Sequence, residues 1–361
     1  MIRKIQLNGK FLSAAPTGVH RVAAELGDAI AALIAEGHPV VAGLELEIVA
    51  PKNGMAQAKR MLAAVRCISP FTGIPWEQIA LPLRRGDGML LSLCNIAPIL
   101  SRDAVTMIHD VQILLSPQSY RPAFRLWYRL IQPLIARRQR HILTVSEFSR
   151  GEIVRAGLCR KEKVSVIHNG VDHILRILSD NAALERLKLK RATYVVALAN
   201  TQIHKNIDVL MRAFADPEMS SLRLVLFGGA TAADFRAIGT AVPQSAVFAG
   251  RISDAELRGL LENALCLAFP STTEGFGLPP LEAMLLGCPV IAAPCGALPE
   301  VCGEAALYAH PDDARAWAQT IARLAGDVSL RTSMIKHGKE WASRFTWRES
   351  AIKLARVLSF I

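Results

Sequence analysis

Residues 265–300 read LCLAFPSTTEGFGLPPLEAMLLGCPVIAAPCGALPE, and here residue types and spacing speak most directly of chemistry. A buried strand over 265–269 is expected to run into Pro270–Gly277, with a helix opening at Leu278-Pro279-Pro280. Proline suits a first helical turn because amides there lack intrahelical partners. Gly287 and Pro289 close that helix, and 289–293 is the next strand. Gly275 and Gly277 let the backbone approach a ligand closely, so amides at the helix start can face a phosphate with the helix dipole behind them. Glu274 in the loop and Glu282 one turn into the helix bracket such an anion. An ordinary strand–turn–helix with two solvated glutamates has the same local pattern.

Other chemistries lose support. The sequence has no G-x-x-x-x-G-K-[ST], no G-x-S-x-G and no G-x-G-x-x-G after the first strand, which disfavours P-loop, α/β-hydrolase and ordinary dinucleotide readings. It has no Asp-x-Asp pair to hold a divalent metal on a nucleotide diphosphate, and no histidine pair at ligand spacing with a carboxylate between. No metal site and no cofactor are expected.

The elements that must position these residues follow from the apolar pattern. Short apolar runs alternate with amphipathic stretches, the signature of parallel sheets covered by helices. Strands are expected near 2–8, 44–50, 89–93, 105–109, 141–145 and 164–168, with helices at 18–35, 121–139 and 147–156. The second half repeats the rhythm, with strands near 194–199, 222–228, 246–249, 265–269 and 289–293 and helices near 206–215, 254–263, 278–286 and 313–325. At 361 residues the chain suits two domains, and the polar stretch 176–191 reads as their joint. Ligands of doubly wound sheets sit beyond the carboxyl ends of strands, so two such sheets face to face would make a cleft.

The charge is uneven. Residues 1–175 hold 22 Lys/Arg against 13 Asp/Glu, and residues 176–361 hold 20 against 18. A basic amino-terminal half suits an anionic partner: nucleic acid, phosphorylated substrate or acidic lipid surface. Arg137-Arg138-Gln139-Arg140-His141 closes a long helix, where cations complement the dipole. With Arg121, Arg125, Arg129, Trp127 and Tyr128, they can equally face anionic head groups. Seven cysteines without a C-x-x-C pair point to a reducing, cytoplasmic setting. The start Met1-Ile-Arg-Lys-Ile shows no signal peptide, and no run is long enough to span a bilayer.

The pattern E-x7-E with an internal G-F-G-L-P, followed by E-A-M-x-x-G-x-P-V-I, resembles the donor site of retaining GT-B glycosyltransferases of family four. Asn8-Gly9-Lys10-Phe11-Leu12 and Pro16-Thr17-Gly18-Val19-His20-Arg21 resemble that family's glycine-bearing first loop. Thr106–Val111 resembles its strand-end His-Asp, Thr144–Arg150 its T-V-S-x-F-S segment, and Asn169-Gly170-Val171-Asp172 its interdomain N-G-V-D. Ala199–Asn206 is similar to the R-K-N donor-phosphate loop, Ala249–Asp254 to the base-binding turn, and Phe345-Thr-Trp347 to the closing aromatic.

This resemblance implies a GT-B fold: two doubly wound Rossmann-like domains facing across a cleft. Residues 1–174 would form an acceptor-binding domain joined by the last helix (348–361), and residues 175–347 a nucleotide-sugar-binding domain. It implies transfer of a hexose from a nucleotide-diphosphate sugar to a sugar hydroxyl, with retention at the anomeric carbon. Likeness to bacterial mannosyltransferase-type members implies GDP-mannose, and a glycan or polyprenyl-diphosphate-linked acceptor in surface polysaccharide synthesis. The partners implied include an anionic membrane surface at the inner face but no nucleic acid.

By the same resemblance, Lys205 places positive charge against the leaving diphosphate, Glu274 holds hydroxyls of the transferred sugar, and His109 orients the donor hexose. Glu282 binds ribose hydroxyls, and the amides of Phe276, Gly277 and Leu278 cradle the pyrophosphate. Gly18 meets the donor phosphate, and Arg251 and Ile252 lie at the base. Ala199 and Asn200 stand where the family carries a second basic residue, leaving His204 or Arg251 to compensate. A UDP-sugar donor, a sugar-nucleotide epimerase and a catalytically silent member are the alternatives.

Overall fold

The computed structural model describes residues 3–14 and 17–361; Met1 and Ile2 of the chain start, and Ala15 and Pro16 of the glycine-bearing loop, lie outside the described residues. The chain divides into two compact units, one of Met1–Gly170 with Thr346–Ile361 and one of Val171–Phe345.

The first unit is built on seven parallel strands: β1 Arg3–Asn8, β2 Leu44–Ala50, β3 Ala64–Cys67, β4 Met89–Ser92, β5 Ala104–Met107, β6 His141–Thr144 and β7 Val164–Val166. They pair in the order β3-β2-β1-β4-β5-β6-β7. β4, β5 and β6 are buried at every position, as strands covered on both faces must be. The helix Gly18–Ala35 begins where the Thr17 side chain accepts the His20 amide. Val22, Leu26, Ile30 and Leu33, three or four residues apart, turn its apolar stripe inward. The helix Trp347–Phe360 packs on it, held at one end by Ser350 Oγ donating to the His168 carbonyl at 2.6 Å.

The second unit carries six parallel strands: β8 Tyr194–Ala199, β9 Arg223–Gly228, β10 Ala246–Gly250, β11 Cys266–Phe269, β12 Val290–Ala292 and β13 Leu307–Tyr308. Their order is β10-β9-β8-β11-β12-β13. Trp317, Phe235, Leu210 and Leu226 anchor its core. Both sheets are doubly wound, and each has one place where the strand order reverses. That place is between β1 and β4 in the first unit and between β8 and β11 in the second. Open sheets of this kind present their binding crevice just beyond the strand ends there.

Among the elements not anticipated, three stand out. β3 is a four-residue edge strand, Ala-Val-Arg-Cys, with no apolar run to announce it, and β13 has only two residues. The helix Val328–Ala342 packs on the helix Leu278–Leu285, where Gly338 leaves room for Met284. The expected joint also moves. Residues 176–191 belong to the second unit, which begins at Val171, and they include the helix Ala182–Leu187. Arg258 donates to the carbonyls of Ile174, Leu175 and Ile177, and Asp180 donates its amide to Ala255 at 3.1 Å. Gly259 has no room for a β-carbon, which would lie 2.2 Å from the Asp180 carbonyl oxygen. A stretch rich in charge looked like a linker because several of its fixings are backbone groups, which leave no mark in composition.

Candidate active site

The reversal point of the second sheet joins four loops. The His204 carbonyl, after β8, accepts the Thr272 amide at 2.8 Å and its hydroxyl at 3.3 Å. Asn206 takes the left-handed conformation (φ 53°) and donates Nδ2 to Pro270 O at 3.2 Å and Pro311 O at 2.8 Å. Loops after β8, β11 and β13 are thereby tied together. From β12, Ala297 donates its amide to the Glu274 carbonyl at 3.0 Å.

Within this frame Lys205 Nζ stands 2.7 Å from Glu274 Oε1, and both side chains are largely buried. The ammonium also lies 5.9 Å from the centre of the Phe269 ring. Sequence reading treated these residues as neighbours of one ligand; the structure makes them partners of each other. A lysine has three donors, so Lys205 holds the carboxylate with one and keeps two for a further acceptor.

His204 is buried beside this pair. Burial, reinforced by the Lys205 charge, pushes its imidazole down to about 4. It is neutral at physiological pH and supplies no second cation, which corrects one of the two compensations expected. Arg251, the other, is exposed after β10, with its guanidinium against Gly229. A β-carbon on Gly229 would stand 3.3 Å from Arg251 Nε. Ile252 follows it, half-buried, ahead of the helix Asp254–Asn263, whose start is closed by a Ser253/Glu256 capping box.

The helix Leu278–Leu285 starts at Gly277, whose φ of +99° places it in the left-handed region. A β-carbon there would also meet Leu298 at 2.8 Å. Glycine has no side chain to cap the helix, and Pro279 and Pro280 carry no amide hydrogen. Leu278 is therefore the single amide donor among its first three residues. Phe276 is buried edge-on against Phe345, with ring centres 6.1 Å apart.

Glu282 is buried, and His173 Nε2 lies 3.0 Å from its Oε1. His173 belongs to the turn Asp172–Arg176, just after the N-G-V-D segment, and sequence reading passed over it. Gly296 was missed as well. Its φ is +61°, and a β-carbon would lie 2.6 Å from the Glu274 amide nitrogen, so it seats the Glu274 peptide. The C-G-A-L-P run following β12 is the signal that was available.

The other expected residues lie in the first unit. Gly18 is the exposed first residue of its helix. His109 follows β5 and is buried, with Nε2 2.8 Å from the Leu93 carbonyl and its amide donated to Asn95 Oδ1 at 2.7 Å. Burial pushes its imidazole down to about 4, against the raising effect of that carbonyl. A neutral ring bonded to a carbonyl carries its proton on Nε2, so Nδ1 is left as an acceptor. Gly9 is explained by packing, because a β-carbon would lie 2.8 Å from the Val49 carbonyl. Among the described residues, no three His, Cys, Asp or Glu side chains are grouped to hold a metal ion.

Comparison with known proteins bears on the family and the fold. Residues 191–327 match the family of glycosyl transferases group 1, and residues 89–174 match Glycosyltransferase Family 4. An O-antigen chain mannosyltransferase B of Escherichia coli is 31% identical over 257 residues, covering 68% of this chain and 67% of that protein. The O-antigen chain mannosyltransferase RfbU of Salmonella typhimurium is 27% identical over 253 residues, with the same shares covered. Among solved structures, a sucrose-phosphate synthase from Thermosynechococcus elongatus superposes with a TM-score of 0.72 at 20% identity, covering 100% of this chain and 99% of that one. Anabaena Alr3699/HepE in complex with UDP-glucose gives 0.72 at 19% identity over both full chains. These structures establish the fold, two doubly wound sheets of the GT-B class. Motif, topology and relatives converge: the chain belongs to glycosyltransferase family four and is a glycosyltransferase.

Proposed function

We propose that this enzyme transfers mannose from GDP-mannose to a sugar hydroxyl of a glycan or polyprenyl-diphosphate-linked oligosaccharide, with retention at the anomeric carbon, in surface polysaccharide synthesis. The unit Val171–Phe345 takes the donor and the unit containing Met1–Gly170 takes the acceptor. The observation that carries the reading is the Lys205–Glu274 pair at the reversal point of the second sheet, beside the start of the helix Leu278–Leu285. The two mannosyltransferase relatives support the choice of sugar.

In this reaction the bond between the anomeric carbon and the diphosphate oxygen breaks. The acceptor oxygen bonds to that carbon on the same face, and the acceptor proton passes to the departing phosphate oxygen. The leaving group gains negative charge, and charge held ready for it lowers the barrier. Lys205 and the amides of Gly277 and Leu278 supply that positive potential, so no divalent ion is required and activity persists in EDTA. Glu274, oriented by Lys205, takes hydroxyls of the hexose; Glu282, oriented by His173, takes the ribose. Arg251 and Ile252 lie at the base, and Gly18 and His109 contribute from the acceptor-binding unit.

Among the described residues no helix is long and apolar enough to cross a membrane. The helix Pro122–Arg138 nonetheless exposes Leu126, Leu130 and Leu134 at four-residue spacing, alongside four arginines and no acidic residue. We propose that this face lies on an anionic lipid surface on the cytoplasmic side.

Incubating the purified protein with a panel of nucleotide sugars and measuring diphosphate release tests the donor. Release from GDP-mannose above the others is expected. A preference for a UDP-sugar overturns the mannose assignment, and nucleotide binding without turnover on any acceptor overturns the enzyme's place in polysaccharide synthesis.

A further inference from the structure

The first sheet reverses its strand order between β1 and β4, and the loops leaving those two strands enclose a cavity of about 350 Å³. This lies within the roughly 300–1,000 Å³ of small-molecule sites. All its lining residues belong to the first unit. Its floor is polar. Glu77, only 3% exposed, accepts Lys10 Nζ at 2.5 Å and Asn8 Nδ2 at 3.2 Å. Its wall is aromatic: Phe124, Trp127 and Tyr128 come from the helix Pro122–Arg138.

We propose that this cavity binds one neutral pyranose ring, the terminal sugar of the acceptor. The word acceptor rests on the function proposed above; the sugar site itself does not. A pyranose has an apolar face of C–H bonds and an edge of hydroxyls. Aromatic rings match the first, and a carboxylate flanked by an amide matches the second. The floor's one carboxylate is balanced by its one ammonium, so an anionic sugar meets no uncompensated cation there. Burying an ion pair stabilises a fold less than packed apolar residues of similar volume do. Asn8 and Glu77, both buried, with the partly exposed Lys10 form a polar cluster opening onto a cavity, which is better explained by ligand recognition than by stability. Leu93, whose carbonyl holds His109, lines the same cavity.

Saturation-transfer difference NMR on the full chain tests this. The probes are the methyl α-pyranosides of mannose, glucose, galactose and N-acetylglucosamine, with methyl α-glucuronide as the charged control. Transfer to at least one neutral pyranoside is expected, exceeding that to the glucuronide. Trp127→Ala should reduce it at least fivefold and Glu77→Gln at least threefold, while Trp127→Phe keeps most of it. The last variant, with circular dichroism, separates loss of the ring from loss of the fold. The proposal is overturned if no neutral pyranoside receives saturation, if Trp127→Ala leaves the transfer unchanged, or if the glucuronide is preferred. Calorimetric titration with GDP and UDP keeps the two readings apart. Sugar contact without nucleotide binding sinks the transferase reading and leaves this site standing; nucleotide binding without sugar contact does the reverse.

Discussion

The two units share one topology and arm it differently. Each winds its strands outward from a central pair, and each places a lysine–glutamate contact beside the reversal point: Lys10–Glu77 in the first and Lys205–Glu274 in the second. In the first unit the carboxylate is the more deeply buried partner, also holds Asn8, and faces three aromatic rings. In the second the pair stands among four stitched loops next to a helix that starts on a side-chain-free glycine. A doubly wound sheet thus dictates where a crevice opens, and the side chains at its rim decide whether it suits a sugar ring or a diphosphate.

The largest effect separating the two should come from their lysines. Lys205→Ala is expected to lower kcat at least 100-fold, as the loss of a charge aimed at the leaving group does in other transferring enzymes. Lys10→Ala should act on the acceptor KM instead. Steady-state kinetics with both substrates varied decides this, and equal kcat losses in the two variants would erase the distinction. Next comes Gly296→Ala, which forces a strained left-handed backbone and a β-carbon into the Glu274 peptide. About 1–3 kcal/mol of stability should be lost in denaturant titration, together with activity, whereas Gly37→Ala, strained but in open space, should cost stability alone.

Acid should then weaken both units, because each has a buried histidine pushed down to about 4: His109 in the first and His204 in the second. Unfolding raises such a group towards its ordinary value near 6.5. The unfolded chain thus binds more protons, and stability present above pH 6.5 is lost as pH falls towards 4. For His109 this amounts to about 1–2 kcal/mol by pH 5. The drop in Tm between pH 7 and pH 5 should shrink in His109→Asn and in His204→Asn; an unchanged drop in either would locate the acid sensitivity elsewhere. The smallest structural effect belongs to Leu126→Glu/Leu130→Glu. These exposed positions should change stability by no more than about 0.5 kcal/mol yet abolish co-sedimentation with anionic vesicles.

Much of this was legible beforehand. The helix Gly18–Ala35 and the strand Tyr194–Ala199 have the expected bounds, because apolar periodicity is a local signal. Glu274, Gly277 and Glu282 announced themselves for the same reason, lying on one strand–loop–helix unit. His173 gave no sign. Its meaning comes from Glu282, more than a hundred residues along the chain. His204 was readable as a residue but not as a neutral one, since its charge is decided by what covers it.

The sequence alone therefore determined the alternation of strand and helix, the glycine-rich helix start and the family to which they point, all properties of residues close together in the chain. Tertiary structure decided the rest: that Lys205 answers Glu274 across 69 positions, that Lys10 answers Glu77 across 67, and that 176–191 is part of the second unit. Pairing and protonation depend on burial and on contacts between distant segments, and those exist only once the sheets have formed.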